Sequence, residues 1–158
     1  MRTVVQMSGI VLAALALGAA ANTWGPRRLP WRGDWTHYVE SQARRDGLGV
    51  TDLAGVRRIR AAGTHVLFDA RSRKAFEAGR LPGAVSFPWL KAEAEFPKLE
   101  VLLMDPAQPA LVYCDSADCE EGLLLARWLK KRGYRDLTLF AGGFRDWKRA
   151  GLEQERGP

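Results

Sequence analysis

A chain of 158 residues has room for one domain of ordinary size and a short appendage, and its 47% apolar content is enough for a core. The formal charge of +6 is dispersed, with half of it coming from Arg2, Arg27, Arg28 and Arg32 against Asp34, so no basic stripe marks a nucleic-acid surface. Two cysteines five positions apart make no disulfide framework, and with His37 and His65 the only histidines a structural zinc site is short of ligands; neither a metal nor another cofactor is expected.

In chain order, Thr3 to Gly25 carries no charge, and Gly9 to Ala21 is Ile, Val, Leu, Ala and Gly only. That run is long enough to cross a bilayer, and Trp24 and Trp31 follow it where aromatic side chains anchor to the interface. Residues 1–25 therefore read as a single-pass membrane anchor. The alternatives are a signal peptide cleaved after Ala19-Ala20-Ala21, giving a secreted or periplasmic protein, and a buried core helix. Its direction stays open, since the following arginines favour a cytoplasmic carboxyl side while the signal-like order of features favours the opposite. Residues 26–48 read as a linker around Pro26, Pro30 and Gly33, with a short helix possible over Trp35 to Arg45.

From residue 49 to 152 strands and helices alternate, which predicts an α/β domain with parallel strands, and 153–158 form a tail. Thr51-Asp52 caps a helix through Ala62, stopped by Gly63. His65 to Phe68 is a strand, Lys74 to Ala78 a helical turn, and Ala84 to Phe87 a strand after the Leu81-Pro82-Gly83 turn. A helix interrupted by Pro97 covers Ala92 to Leu103, and Leu111 to Cys114 is the third strand. Cys119 to Arg132 is a helix ended by Gly133, Leu137 to Phe140 the fourth strand, and Phe144 to Ala150 the last helix.

Cys114 stands where the apolar run Ala110 to Tyr113 gives way to the polar loop Asp115-Ser116-Ala117-Asp118-Cys119. A thiolate at the carboxyl end of a buried strand, before a helix, meets backbone N–H groups and a positive helix end. Cys114 is thus the candidate nucleophile, and the backbone of 115–119 its anion cradle. The competing reading is an inert buried cysteine.

Three segments resemble the rhodanese, or sulfurtransferase, domain. They are Asp69-Ala70-Arg71 with Phe76 and Gly79-Arg80-Leu81-Pro82-Gly83-Ala84; Val112-Tyr113-Cys114; and Gly133-Tyr134, Leu139, Gly142-Gly143, Trp147 and Ala150-Gly151. The resemblance implies a three-layer domain around a five-stranded parallel sheet. It also implies a cysteine that takes sulfane sulfur as a persulfide from a donor and passes it to a thiol acceptor, either of them a small molecule or a protein. Asp69 and Arg71 are expected to pair as framework.

The departures bear on chemistry. The sixth loop position, commonly arginine in the family, is Cys119, and Glu120-Glu121 follow, so the loop has four carboxylates nearby and no cation of its own. Acids suit a helix start, yet they also repel anionic donors such as thiosulfate and raise a thiol pKa. Six positions after Cys114 stands Glu120, which excludes a phosphatase loop with its arginine. Arg80 replaces the customary histidine, on what reads as the surface side of the turn. Three functions remain: a sulfurtransferase, a thiol-disulfide redox protein using Cys114 and Cys119, and a non-catalytic tethered binding module.

Overall fold

A computed structural model of the chain describes residues 2–25, 37–99 and 105–158. Five parallel strands form one sheet in the order β1-β5-β4-β2-β3, with β1 Gly49–Thr51, β2 Val66–Asp69, β3 Ala84–Ser86, β4 Ala110–Tyr113 and β5 Leu137–Phe140. Four of these were expected, within a residue or so of their observed bounds. β1 was not: three residues are too few to show a period, and the strand exists through its pairing with Thr138, Leu139 and Phe140.

β4 lies between β5 and β2 and is buried along its whole length, as its unbroken apolar sequence requires of a strand covered on both faces. Alternation along the strands separates two cores. Phe68, Val112 and Leu139 point to one, with Val39 and Ala43 of α2 (Tyr38–Arg45) and Leu125 and Leu129 of α6 (Glu121–Lys131). Leu67, Leu111, Tyr113 and Phe140 point to the other, with Val56 of α3 (Leu53–Ala62) and Phe144 and Trp147 of α7 (Gly143–Arg149). The remaining helices are α4 (Arg73–Ala78) and α5 (Ala92–Leu99), the latter entered through a 3-10 turn over Trp89–Lys91.

Local chemistry sets the helix ends. Asp52 accepts from the Gly55 N–H at 2.8 Å, Ser72 accepts from the Ala75 N–H at 3.3 Å, and Gly63 closes α3 in the left-handed region at φ 62°. The stretch read as linker needs correction at its end: α2 buries Val39 and Ala43 in the core, and Leu48 is buried beyond it. The folded unit therefore reaches back beyond residue 49, while the proline-rich part of that linker lies outside the described residues. So does the end of the helix expected to run to Leu103.

α1 spans Arg2–Trp24, and Met7, Ile10, Val11, Leu12, Leu15 and Leu17 on it are exposed. From Gln6 to Trp24 it is long and apolar enough to cross a membrane, a property it shares with signal sequences.

Candidate active site

Cys114 is the first residue beyond β4 and is buried, at the carboxyl edge of the sheet. The chain is held open there from the far end of the domain. The N–H groups of Phe144 and Arg145 donate to the carbonyls of Cys114 and Asp115 at 2.8 and 2.7 Å. Gly143 permits this approach: its φ is 64°, and a Cβ on it would sit 2.6 Å from the Cys114 carbonyl oxygen. The Gly142-Gly143 pair, read from sequence as a turn, is thus the seat of the cysteine loop. The first turn of α6 closes the other side, where a Cβ at Gly122 would lie 3.4 Å from that of Cys114. The thiol consequently stands by the positive end of α6.

Below the loop, Asp69 is fully buried. It accepts from the Arg71 backbone N–H at 3.0 Å, from Arg71 Nε at 2.9 Å and Nη2 at 2.6 Å, and from the Tyr113 hydroxyl at 2.7 Å. Arg71 Nη2 also donates to the Gly79 carbonyl at 2.7 Å, and the guanidinium lies over the Phe144 ring, 4.2 Å from its centroid. Burial alone would lower the Arg71 pKa, but the hydrogen bond and charge of Asp69 outweigh it and raise it. Burial, followed by the Asp69 charge, pushes the Tyr113 phenol far up, so it stays a proton donor.

Arg71 does more than pair with Asp69. Its Nη1 lies 3.8 Å from Asp115, and Arg145 Nη2 reaches the same carboxylate at 3.0 Å. The loop has no cation of its own, but tertiary structure supplies two, and the expectation of an unrelieved acidic mouth is corrected accordingly. Asp118 accepts from the Ser116 hydroxyl, which holds its carboxyl below the ordinary range with help from its own N–H and the Arg145 charge. The Cys119 N–H donates to the Ser116 carbonyl at 3.0 Å and so serves the turn. Ala117 is half-buried between them.

Arg80 is corrected as well. Its side chain is only 11% exposed, lying over the Phe76 ring at 4.3 Å and donating to the Gly157 carbonyl at 2.7 Å. Arg80 and Glu155 also form an antiparallel bridge, which fastens the tail to the turn.

Cys114 and Cys119 are joined by a disulfide, with Cα atoms 6.1 Å apart. Glu121 Oε2 lies 3.6 Å from the Cys114 sulfur and 4.0 Å from that of Cys119. In the disulfide neither sulfur carries a proton, so these are contacts; once reduced, either thiol can donate to the carboxylate. Reduced, the three side chains offer two thiolates and a carboxylate, a donor set that suits a thiophilic cation. In the sequence Glu121 reads, with Glu120, as one of four acids near the loop that repel anionic donors and raise the thiol pKa, with nothing to set it apart from the other three. Its place at the sulfurs depends on how α6 packs against β4.

Burial, with the Asp69 charge second, pushes the Glu121 carboxyl above its ordinary range. The folded protein then holds that proton more firmly than the unfolded chain. The associated stability is full below the ordinary carboxylate pKa and is lost as pH rises through the raised one. Glu121→Gln should abolish this fall, as read by urea denaturation between roughly pH 4 and 7. With the disulfide reduced, the same variant should alkylate faster at Cys114, since a charge near 4 Å is worth about 1 kcal/mol in water, or roughly fivefold. Thiosulfate turnover should rise with it, and Glu120→Gln, at an exposed position, should do less. Unchanged alkylation would show that Glu121 leaves the thiol untouched.

The family model of the rhodanese-like domain matches residues 53–150. The chain belongs to that family. The chain is 29% identical over 124 residues to human thiosulfate:glutathione sulfurtransferase, covering 69% of this chain and 97% of that protein. It is 30% identical over 86 residues to the adenylyltransferase and sulfurtransferase of Meyerozyma guilliermondii, covering 52% of this chain and only 20% of the other. Among solved structures, thiosulfate sulfurtransferase from Pseudomonas aeruginosa superposes with a TM-score of 0.62 at 20% identity, over 78% of this chain and 23% of that one, a likeness of fold. A sulfurtransferase-type function follows at the level of the family.

Proposed function

We propose that Cys114 carries sulfane sulfur as a persulfide and that the protein is a sulfurtransferase tethered to a membrane by α1. The observation that carries this reading is the placement of Cys114 at the end of β4, against the first turn of α6, in a loop gripped by α7. The Cys114 thiolate attacks the outer sulfur of a donor R–S–S⁻ and displaces R–S⁻. An acceptor thiolate then attacks the outer sulfur of the persulfide and leaves with it, restoring the Cys114 thiolate. The helix end and the 115–119 backbone are proposed to hold the anion between the two steps.

The disulfide favours a second step. Once the persulfide has taken a proton from solvent, the Cys119 thiolate attacks its inner sulfur, forms the Cys114–Cys119 bond and expels hydrosulfide, which carries that proton away; an external thiol reductant supplies the two electrons and two protons that reopen the bond. Intact mass of the reduced protein after a sulfane donor distinguishes the outcomes. A gain of one sulfur supports the carrier, a net loss of two hydrogens supports resolution by Cys119, and no change leaves a binding module. Cys119→Ala should lengthen the Cys114 persulfide lifetime several-fold by removing its nearest attacking thiol. Equal lifetimes, with no linked peptide in a non-reducing map, would leave Cys114 acting alone.

A further inference from the structure

A cleft of about 270 Å³ opens beside Glu121, at the carboxyl ends of β2 and β3, where ligands of open parallel sheets bind. It lies just under the range of roughly 300–1,000 Å³ for drug-sized ligands, so it suits a small molecule. Ala70 and Pro88 give it an apolar floor, and Leu90, 83% exposed, stands at its edge. Arg73, Lys74 and Lys91 bring three cations to it against the single carboxylate of Glu121. Arg73 is engaged by Glu77 at 3.1 Å, whereas Lys74 and Lys91 are exposed and make no ion pair among the described residues. Glu121 also touches both sulfurs, so the cleft adjoins the cysteine pair through this one side chain.

We infer that this cleft is the subsite for the acceptor, a small organic thiol with an apolar stem and an anionic head held by Lys74 and Lys91. An inorganic donor has no stem for Leu90 and Pro88 to cover. A neutral thiol would leave the lysines unused. The inference rests on the sulfurtransferase reading, and it makes charge selection a property of this cleft, separate from the acidic loop.

Matched probes test it: 3-mercaptopropionate and its neutral amide, offered to the full chain in detergent after the persulfide is loaded. The native protein should prefer the acid in kcat/KM. In the double variant Lys74→Gln, Lys91→Gln, transfer to the acid should fall about five- to tenfold while transfer to the amide stays within about twofold, and high salt should do the same to the native protein. An equal fall for both thiols, or no preference in the native protein, overturns the subsite. If the loaded protein passes sulfur to neither thiol, the sulfurtransferase reading fails, and the cleft is judged by binding alone. Butyrate, but not butyramide, should then shift the backbone amide resonances of Lys74 and Lys91, and the absence of such shifts overturns it too.

Discussion

Cys114→Ser should take up no sulfane sulfur at all, with persulfide formation falling below detection while the fold is kept. Serine is nearly isosteric, and the buried site holds its backbone through the N–H groups of Phe144 and Arg145 rather than through the sulfur. An alkoxide is far less accessible than a thiolate at neutral pH, so no residual nucleophile is expected. Loss of the disulfide is a separate effect, and Cys119→Ala controls for it because it breaks the same bond and leaves Cys114. The measurement is intact mass after a sulfane donor, beside thermal unfolding of the three reduced proteins. A Cys114→Ser protein that still gains sulfur would remove Cys114 from the mechanism.

Asp69→Ala should be the most damaging substitution for stability, by about 3–5 kcal/mol. It strips five hydrogen bonds from a fully buried carboxylate and leaves the Arg71 guanidinium, itself buried, without its buried charge partner. Against a typical total of about 5–15 kcal/mol, such a loss leaves a protein that is partly unfolded. Tyr113→Phe is the graded companion: it removes the hydroxyl that donates to Asp69 and accepts from the Leu81 N–H at 3.3 Å, and should cost about 1–3 kcal/mol. Urea denaturation of both variants measures this. If Asp69→Ala unfolds at the native midpoint, Arg71 is held by Gly79 and Phe144 alone. Because Arg71 also reaches Asp115, the milder variant should disturb the cysteine loop along with the stability.

Much of the architecture was legible because its signals are local. Asp52, Ser72 and Gly63 act within one helical turn of themselves, and the apolar run before Cys114 marks a strand buried on both faces whatever its neighbours are. The same holds for the uncharged amino-terminal helix and for the Gly142-Gly143 break. β1 escaped notice since its three residues become a strand only beside β5.

The candidate site divides in the same way. Cys114 and its loop could be named from order along the chain, because a strand end is a short-range fact, while the Asp69-Arg71 pair was expected from the family resemblance. The electrostatics could not. Asp115 reads as one acid among four until α7 brings Arg145 to it and β2 brings Arg71. Glu120 and Glu121 read alike as acids near the loop until α6 docks its first turn on β4 and brings Glu121 to the sulfurs, and Arg80 reads as exposed until the tail covers it. Lys74 and Lys91, seventeen positions apart, meet only because β2 and β3 are neighbours in the sheet. Sequence by itself determined the alternation of elements, the apolar helix and the place of Cys114 at a strand end, each encoded within a few residues. Tertiary structure decided which charges face the sulfur, because Coulomb interactions depend on distances that chain order does not contain.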